Sequence, residues 1–368
     1  MTGSAQPQQQ PSTPPLPAKE LFRPPIILDA HVDVLLRVGN PDGKRRLDEP
    51  GPNGQANFAN WRASGTNAVY FAVWIDPRTF NGERAVQRTD QLIALFHEQL
   101  RRYPDVMEFC DTSDDVRRAV ASGKIASLLG IEGGIAINND LRNIERYRRA
   151  GVRYMTLTWR GNLDWAGSSQ EINNPYRRGE KIQIAQNPSS GGLTEFGRQV
   201  VAEMNRVGMM VDLSHVSDET FFDAIKASRR PVILSHSNAK ALSNHPRNIT
   251  DDMLRALKAN QGVIGLNLWY EMLEPNGRSS KSENAKPVTV ETVLDQVDHM
   301  VKIAGIDCLG LGSDFEGMSD LPPDLKDASK VTLIFEGMRK RGYSEADIRK
   351  VASENFLRVM KANEVPLN

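Results

Sequence analysis

Two histidines end short apolar runs that are each followed by a helical pattern: His215 in MVDLSHVS and His236 in PVILSHSN. His31 and Asp33 close a third run, IILDAHVD, Glu132 closes a fourth, IASLLGIEGG, and Asp314 follows a fifth, LGLGS. The chain has six histidines, so half of them stand at such ends. Nitrogen and oxygen donors in this mixture suit zinc. On a strand, residues two apart point the same way, so His31 and Asp33 can chelate one cation. Glu132 has two oxygens and can bridge two cations, and His215 with His236 can hold the second. Two zinc ions with a hydroxide between them would give a nucleophile at neutral pH and a Lewis acid for a carbonyl, which is hydrolytic chemistry. A single strand-end histidine is ordinarily a hydrogen-bonded core residue. Five candidate ligands at four strand ends outweigh that explanation.

The elements that must position these residues alternate along the chain from residue 26. Strand candidates fall at 26–33, 67–75, 125–131, 153–159, 209–215, 231–235, 262–267 and 308–313. All are short and apolar, as strands buried on both faces are. Helical patterns fill the gaps at 83–102, 140–150, 194–207, 217–228, 250–260 and 290–304, and two more end the chain at 326–341 and 344–362. Ser217 and Thr250 suit helix starts, and Gly151 and Gly208 suit helix ends. Eight such units predict an α/β fold, a (β/α)8 TIM-like barrel with its metal site at the C-terminal ends of the strands. Two connections, Arg160 to Leu193 and Trp269 to Val288, are longer than joints need to be. Both follow strands, so both are expected over the catalytic face.

Barrels of this kind run long as one domain, so residues 26–368 read as a single domain. Residues 1–25 read as a disordered or extended arm rich in Pro, Gln and Ser, without the apolar core of a signal peptide. Acidic and basic residues balance at 46 each, and no basic stripe or nucleic-acid motif appears. No apolar run approaches the ~18 residues of a membrane span, and the C-terminus carries no lipid-anchor signal. Compartment is left open: cytoplasmic, or periplasmic or secreted if a signal was removed. Of the two cysteines, Cys110 and Cys308, the second opens the strand-like CLGLG and reads as a small core residue; a disulfide between them is not expected. No G-x-G-x-x-G opens a helix after a strand, which excludes dinucleotide binding.

Over residues 26–362 the chain resembles the membrane (renal-type) dipeptidase family of the amidohydrolase-like barrels. The resemblance rests on HVD at 31–33, GIEGG at 130–134, DLSHVS at 212–217, SHSNA at 235–239, PRN at 246–248 and GSDFEG at 312–317. It implies a zinc dipeptidase with two Zn2+ ions: His31 and Asp33 on one, His215 and His236 on the other, and Glu132 bridging. It also implies that Asp314 is the acid–base carboxylate that steers the water and passes its proton to the leaving amine. Arg247 corresponds to the arginine that pairs with the substrate's C-terminal carboxylate, a task suited to a guanidinium fork. Relatives are commonly homodimers and often accept a D-residue at the C-terminal position. One position departs. Renal-type enzymes read Thr-Leu-Thr-His after the fourth strand, where the histidine touches substrate. Here the run is MTLTW, which places Trp159 at the substrate and is similar to divergent bacterial branches of the family. An indole N–H can donate one hydrogen bond but carries no charge. A changed substrate range is therefore expected.

Other residues read more plainly. His97 and His299 sit on helices as ordinary residues. His245, two before Arg247, could reach substrate or only pack beside it. Trp165 and Tyr176 could wall the pocket or form the long loop's own core. Two rival functions remain. A lactonase or phosphotriesterase on a similar barrel would bridge its metals with a modified lysine, and no lysine ends a strand here. A catalytically silent, zinc-stabilised binding protein would not need Asp314.

Overall fold

The computed structural model describes residues 25–38, 46–49, 54–170 and 191–366. Apart from Pro25, the arm expected at the N-terminus lies outside them, as does Tyr176. The strands are β1 (Leu28–Val32), β2 (Ala68–Trp74), β3 (Met107–Phe109), β4 (Ile125–Glu132), β5 (Val152–Thr156), β6 (Met210–Asp212), β7 (Ile233–Ser237), β8 (Val263–Leu266) and β9 (Leu309–Leu311). Every pairing is parallel. β2 pairs with both β1 and β4, and β9 returns to β1, so eight strands close into a barrel. The remaining strand, β3, was not expected. It pairs only with the first residues of β4, along the edge that β5 takes over from Leu129.

The strands are almost wholly buried, which explains their continuous apolar runs. Leu28, Tyr70, Leu128, Tyr154, Met210, Ile233 and Val263 form one apolar cluster. Phe356, Leu357 and Met360 of the last helix (Asn355–Asn363) join it. A second, larger cluster fills the layer between strands and helices. The start signals read from sequence hold: the side chains of Ser217 and Thr250 each accept from the amide three residues on, and Thr194 caps its helix in the same way. Gly208 ends its helix in the left-handed region, at φ 74°.

Several expectations are corrected. Helices Val34–Val38, Phe58–Ser64 and Ser113–Ala121 were not anticipated. The final helical stretch is interrupted by a π-turn at Lys350–Glu354. β5 stops at Thr156 and β6 at Asp212, each three residues early, so Trp159 and His215 stand on loops beyond their strands. In line with the sequence, both cysteines are free, and both are buried. The connection from Trp269 to Val288 holds a short helix, Tyr270–Leu273. Trp165 is 1% exposed and packs its ring edge against Phe196, so it belongs to the core.

Candidate metal centre

The six chemistry-bearing residues converge where the strands end. Glu132 is the last residue of β4. One of its oxygens, Oε2, lies 3.4 Å from His31 Nε2. The other, Oε1, lies 2.8 Å from His215 Nε2 and 3.6 Å from His236 Nε2. Asp33 Oδ2 is 3.5 Å from His31 Nε2. Two trios, His31–Asp33–Glu132 and Glu132–His215–His236, each bring their donor atoms within 4.8 Å of one another, and Glu132 is common to both. A third trio joins His31 and His236 to Asp314.

The backbone makes this convergence possible. β1 slips register against β2 between Asp29 and Val32, a bulge beside the site. His215 and Asp314 both adopt left-handed backbone, at φ 70° and 64°. That conformation is uncommon for residues other than glycine and clusters at functional sites. The amide of Asp314 donates to the His31 carbonyl and that of Asp33 to the Phe315 carbonyl, which ties the end of β1 to the loop after β9. Gly317 lies beneath both carboxylates. A Cβ there would stand 2.3 Å from Asp314 Oδ1 and 2.4 Å from Asp33 Oδ2.

Second-layer partners set which nitrogen of His31 and of His236 is bare. The Tyr154 hydroxyl donates to the Ala30 carbonyl at 3.1 Å and lies 2.8 Å from His31 Nδ1. Having spent its proton, it can only accept from Nδ1–H, which leaves His31 Nε2 bare. At His236, Ser235 Oγ donates to Asp212 Oδ2 at 2.6 Å and accepts from Nδ1 at 2.8 Å. His236 Nε2 is therefore also bare, and it faces His215 Nε2 at 3.0 Å. His31 Nε2, Asp33 Oδ1 and His215 Nδ1 are buried with no hydrogen-bond partner.

Electrostatics agree. Burial, reinforced by Glu132, raises the Asp33 carboxyl above its usual range. Burial holds Asp314 well above the carboxylate range; His31 opposes the shift, and Asp33 and Glu132 add to it. Burial pushes His215 and His236 well below the usual imidazole value, with Arg247 or His31 adding to the effect. At His31 burial works downward, but the neighbouring Tyr154, Glu132 and Asp33 oxygens outweigh it and push the imidazole well above its usual value, as a pocket built for positive charge does. Neutral imidazoles at His215 and His236, crowded carboxylates and buried donors without partners are what a cation site requires. The residues present therefore fit a metal centre, and the structure brings the five expected ligands His31, Asp33, Glu132, His215 and His236 together there.

Asp314 accepts from Asn267 Nδ2 at 3.0 Å, and Asn267 is itself gripped by Asn238. Arg247 is 4% exposed, with its guanidinium on the His236 carbonyl and Ser237 Oγ. Arg247 and Trp159 line a cavity of about 280 Å³ together with Asp33, Glu132, His215 and Asp314. That volume is near the small end for ligand sites and matches a small molecule rather than a folded partner. His245 is held back from the cavity. It accepts from the Arg247 amide through Nδ1 and packs edge-on against Trp269. His97 and His299 are satisfied elsewhere, on the Ala150 carbonyl and on Asp251.

Comparison with known proteins now decides the family. The model of the membrane dipeptidase family (peptidase family M19) matches residues 17–366. The chain belongs to the membrane dipeptidase family. Dipeptidase tcpJ of Claviceps purpurea (strain 20.1) is 36% identical over 306 residues, covering 81% of this chain and 66% of that relative's own length. The crystal structure of dipeptidase AC, a metallopeptidase of the same family, superposes with a TM-score of 0.80 at 27% identity, covering 92% of this chain and 98% of that one. A Rhodobacter sphaeroides metallopeptidase, solved with a phosphinate mimic of the dipeptide L-Ala-D-Ala, also gives 0.80 at 25% identity, over 92% and 99%.

In this chain the sequence motifs point to the candidate ligands but not to their supports. Tyr154, Asp212 and Ser235 were missed, as was Asp29, which accepts from Ser313 N and Oγ beside Asp314. A signal exists in retrospect. LDAH and VDLSH each place an aspartate inside an apolar run, where a charged residue needs a partner. Gly130 in the GIEGG motif also has a role, because the Tyr154 ring lies where its Cβ would be, 2.0 Å away. Among the pocket residues, Trp74 and Arg160 were also missed.

Proposed function

We propose that this chain hydrolyses dipeptides with two zinc ions that share Glu132. The observation that carries this reading is the division of labour at Glu132, whose two oxygens face different imidazole groups. His31 and Asp33 would hold one ion, and His215 and His236 the other. Zinc there would supply an acidified water as nucleophile and polarise the scissile carbonyl.

The protein's own side chains do the rest. Arg247 bonds the His236 carbonyl and Ser237 Oγ, forms no ion pair among the described residues and lines the cavity, so it is the group to receive the substrate's C-terminal carboxylate. Asp314 is half-buried, has a raised proton affinity and is fixed by Asn267. It can take a proton from the attacking water and release it to the departing amine. Trp159 walls the substrate space, edge-on to Trp74 at 5.0 Å and beside His215 at 6.2 Å. It gives shape where an imidazole would give charge. We further propose that residues 26–368 act as one domain and that the chain works as a homodimer. No helix of the described residues is long and apolar enough to cross a membrane.

A panel of L-Xaa-L-Xaa and L-Xaa-D-Xaa dipeptides, assayed before and after chelation, tests the reading. Turnover that chelation abolishes and zinc restores is expected. Turnover indifferent to chelation, or none with zinc present, overturns it.

A further inference from the structure

Arg160 immediately follows Trp159 in the loop after β5 and lines the cavity. Its guanidinium carbon sits 5.3 Å from the centre of the Trp159 ring and 5.9 Å from that of Trp269, so two indoles from opposite connections hold it. Its Nε is buried without a hydrogen-bond partner, and no carboxylate of the described residues forms an ion pair with it. Another pocket arginine, Arg78, is instead engaged by Asp76 at 2.8 Å. A guanidinium flanked by two indoles, with no carboxylate of the described residues paired to it, has N–H groups left to grip a carboxylate in two places.

The two indoles also indicate which part of a substrate Arg160 would meet. Trp159 stands beside His215 at the metal cluster. Trp269 packs on His245, which accepts from the Arg247 amide. Arg160 therefore spans from the scissile centre toward the arginine that receives the terminal carboxylate. The residue lying along that path is the C-terminal one.

We propose that Arg160 is a specificity-determining residue, and that this enzyme prefers dipeptides whose C-terminal residue carries an acidic side chain. The proposal rests on the dipeptidase reading above. A charge-assisted bond at a half-buried site is worth about a tenfold preference.

The test compares kcat/KM for Ala-Asp against Ala-Asn and for Ala-Glu against Ala-Gln, with L- or D-stereochemistry at the second residue, on the zinc-loaded enzyme. Expected is an acid-to-amide ratio of at least about ten in one pair, falling toward one in Arg160→Gln and partly kept in Arg160→Lys. Because a ratio is read, a general loss of activity in the variant does not disturb it. Ratios near one in the wild type, with all four dipeptides turned over, overturn the proposal and leave the dipeptidase reading intact. A high ratio that survives Arg160→Gln overturns the assignment to Arg160. Hydrolysis of none of the four overturns the dipeptidase reading and this proposal with it.

Discussion

Tyr154→Phe removes one oxygen, and the structure says which metal should feel it. The hydroxyl accepts from His31 Nδ1 at 2.8 Å and donates to the Ala30 carbonyl at 3.1 Å. Without it, a buried Nδ1–H has no acceptor, and an unsatisfied buried donor costs about 1–3 kcal/mol. The metal-free protein can escape that cost by moving the proton to Nε2, where Glu132 and Asp33 oxygens wait at 3.4 and 3.5 Å. Binding zinc must then reverse the move. At about 1.4 kcal/mol per tenfold, affinity should fall roughly 10- to 100-fold, which is the range seen for outer-shell partners of metal ligands. The loss should fall on the ion held by His31 and Asp33. Asp212→Asn is the complementary change. An amide in place of Oδ2 reverses the Ser235 hydroxyl, which then donates to His236 Nδ1 and drives its proton to Nε2. That variant should weaken the other ion. Competition between each protein and a chromophoric chelator for zinc reads the two affinities separately. Refutation is simple: equal weakening of both ions by either variant, or no weakening by Tyr154→Phe, and the tautomer argument fails.

Three further outcomes follow from the same geometry. Asp314→Asn should keep its zinc and lose at least ~10²-fold in kcat, a magnitude typical of acid–base groups; metal analysis with steady-state kinetics checks both halves. Arg247→Ala should raise KM steeply for dipeptides with a free carboxylate and spare amidated ones, so equal damage to both would exclude the clamp. Gly317→Ala places a methyl group against Asp314 and Asp33. It should destabilise the fold by about 1–3 kcal/mol, the usual cost of overpacking, and weaken zinc binding, as thermal melts with and without zinc would reveal.

The sequence made the eight barrel strands legible because buried parallel strands leave near-continuous apolar runs. β3 escaped because MEF is three residues long and only half buried. The loop positions of His215 and Trp159 escaped for a different reason. Hydrophobicity continues through Leu213 and Leu157, so the pattern does not show where pairing stops. Ligand types and spacing were enough to identify the cluster, because a strand end needs no long-range information to carry a histidine. The supports were not legible, because each joins residues far apart in the chain: Tyr154 to His31 and Asp29 to Ser313. Only closure of the barrel brings them together. Arg160 was not legible because its two indole neighbours come from different connections, which only the fold brings together.

If two zinc ions sharing Glu132 carry out the hydrolysis, titrating the metal-free protein with zinc while following hydrolysis of a dipeptide will count them. Activity should rise until two equivalents per chain are bound and then level off, and Glu132→Gln should fail to bind the pair. Full activity at a single equivalent, or two tightly held ions with no dipeptide turned over, would contradict it.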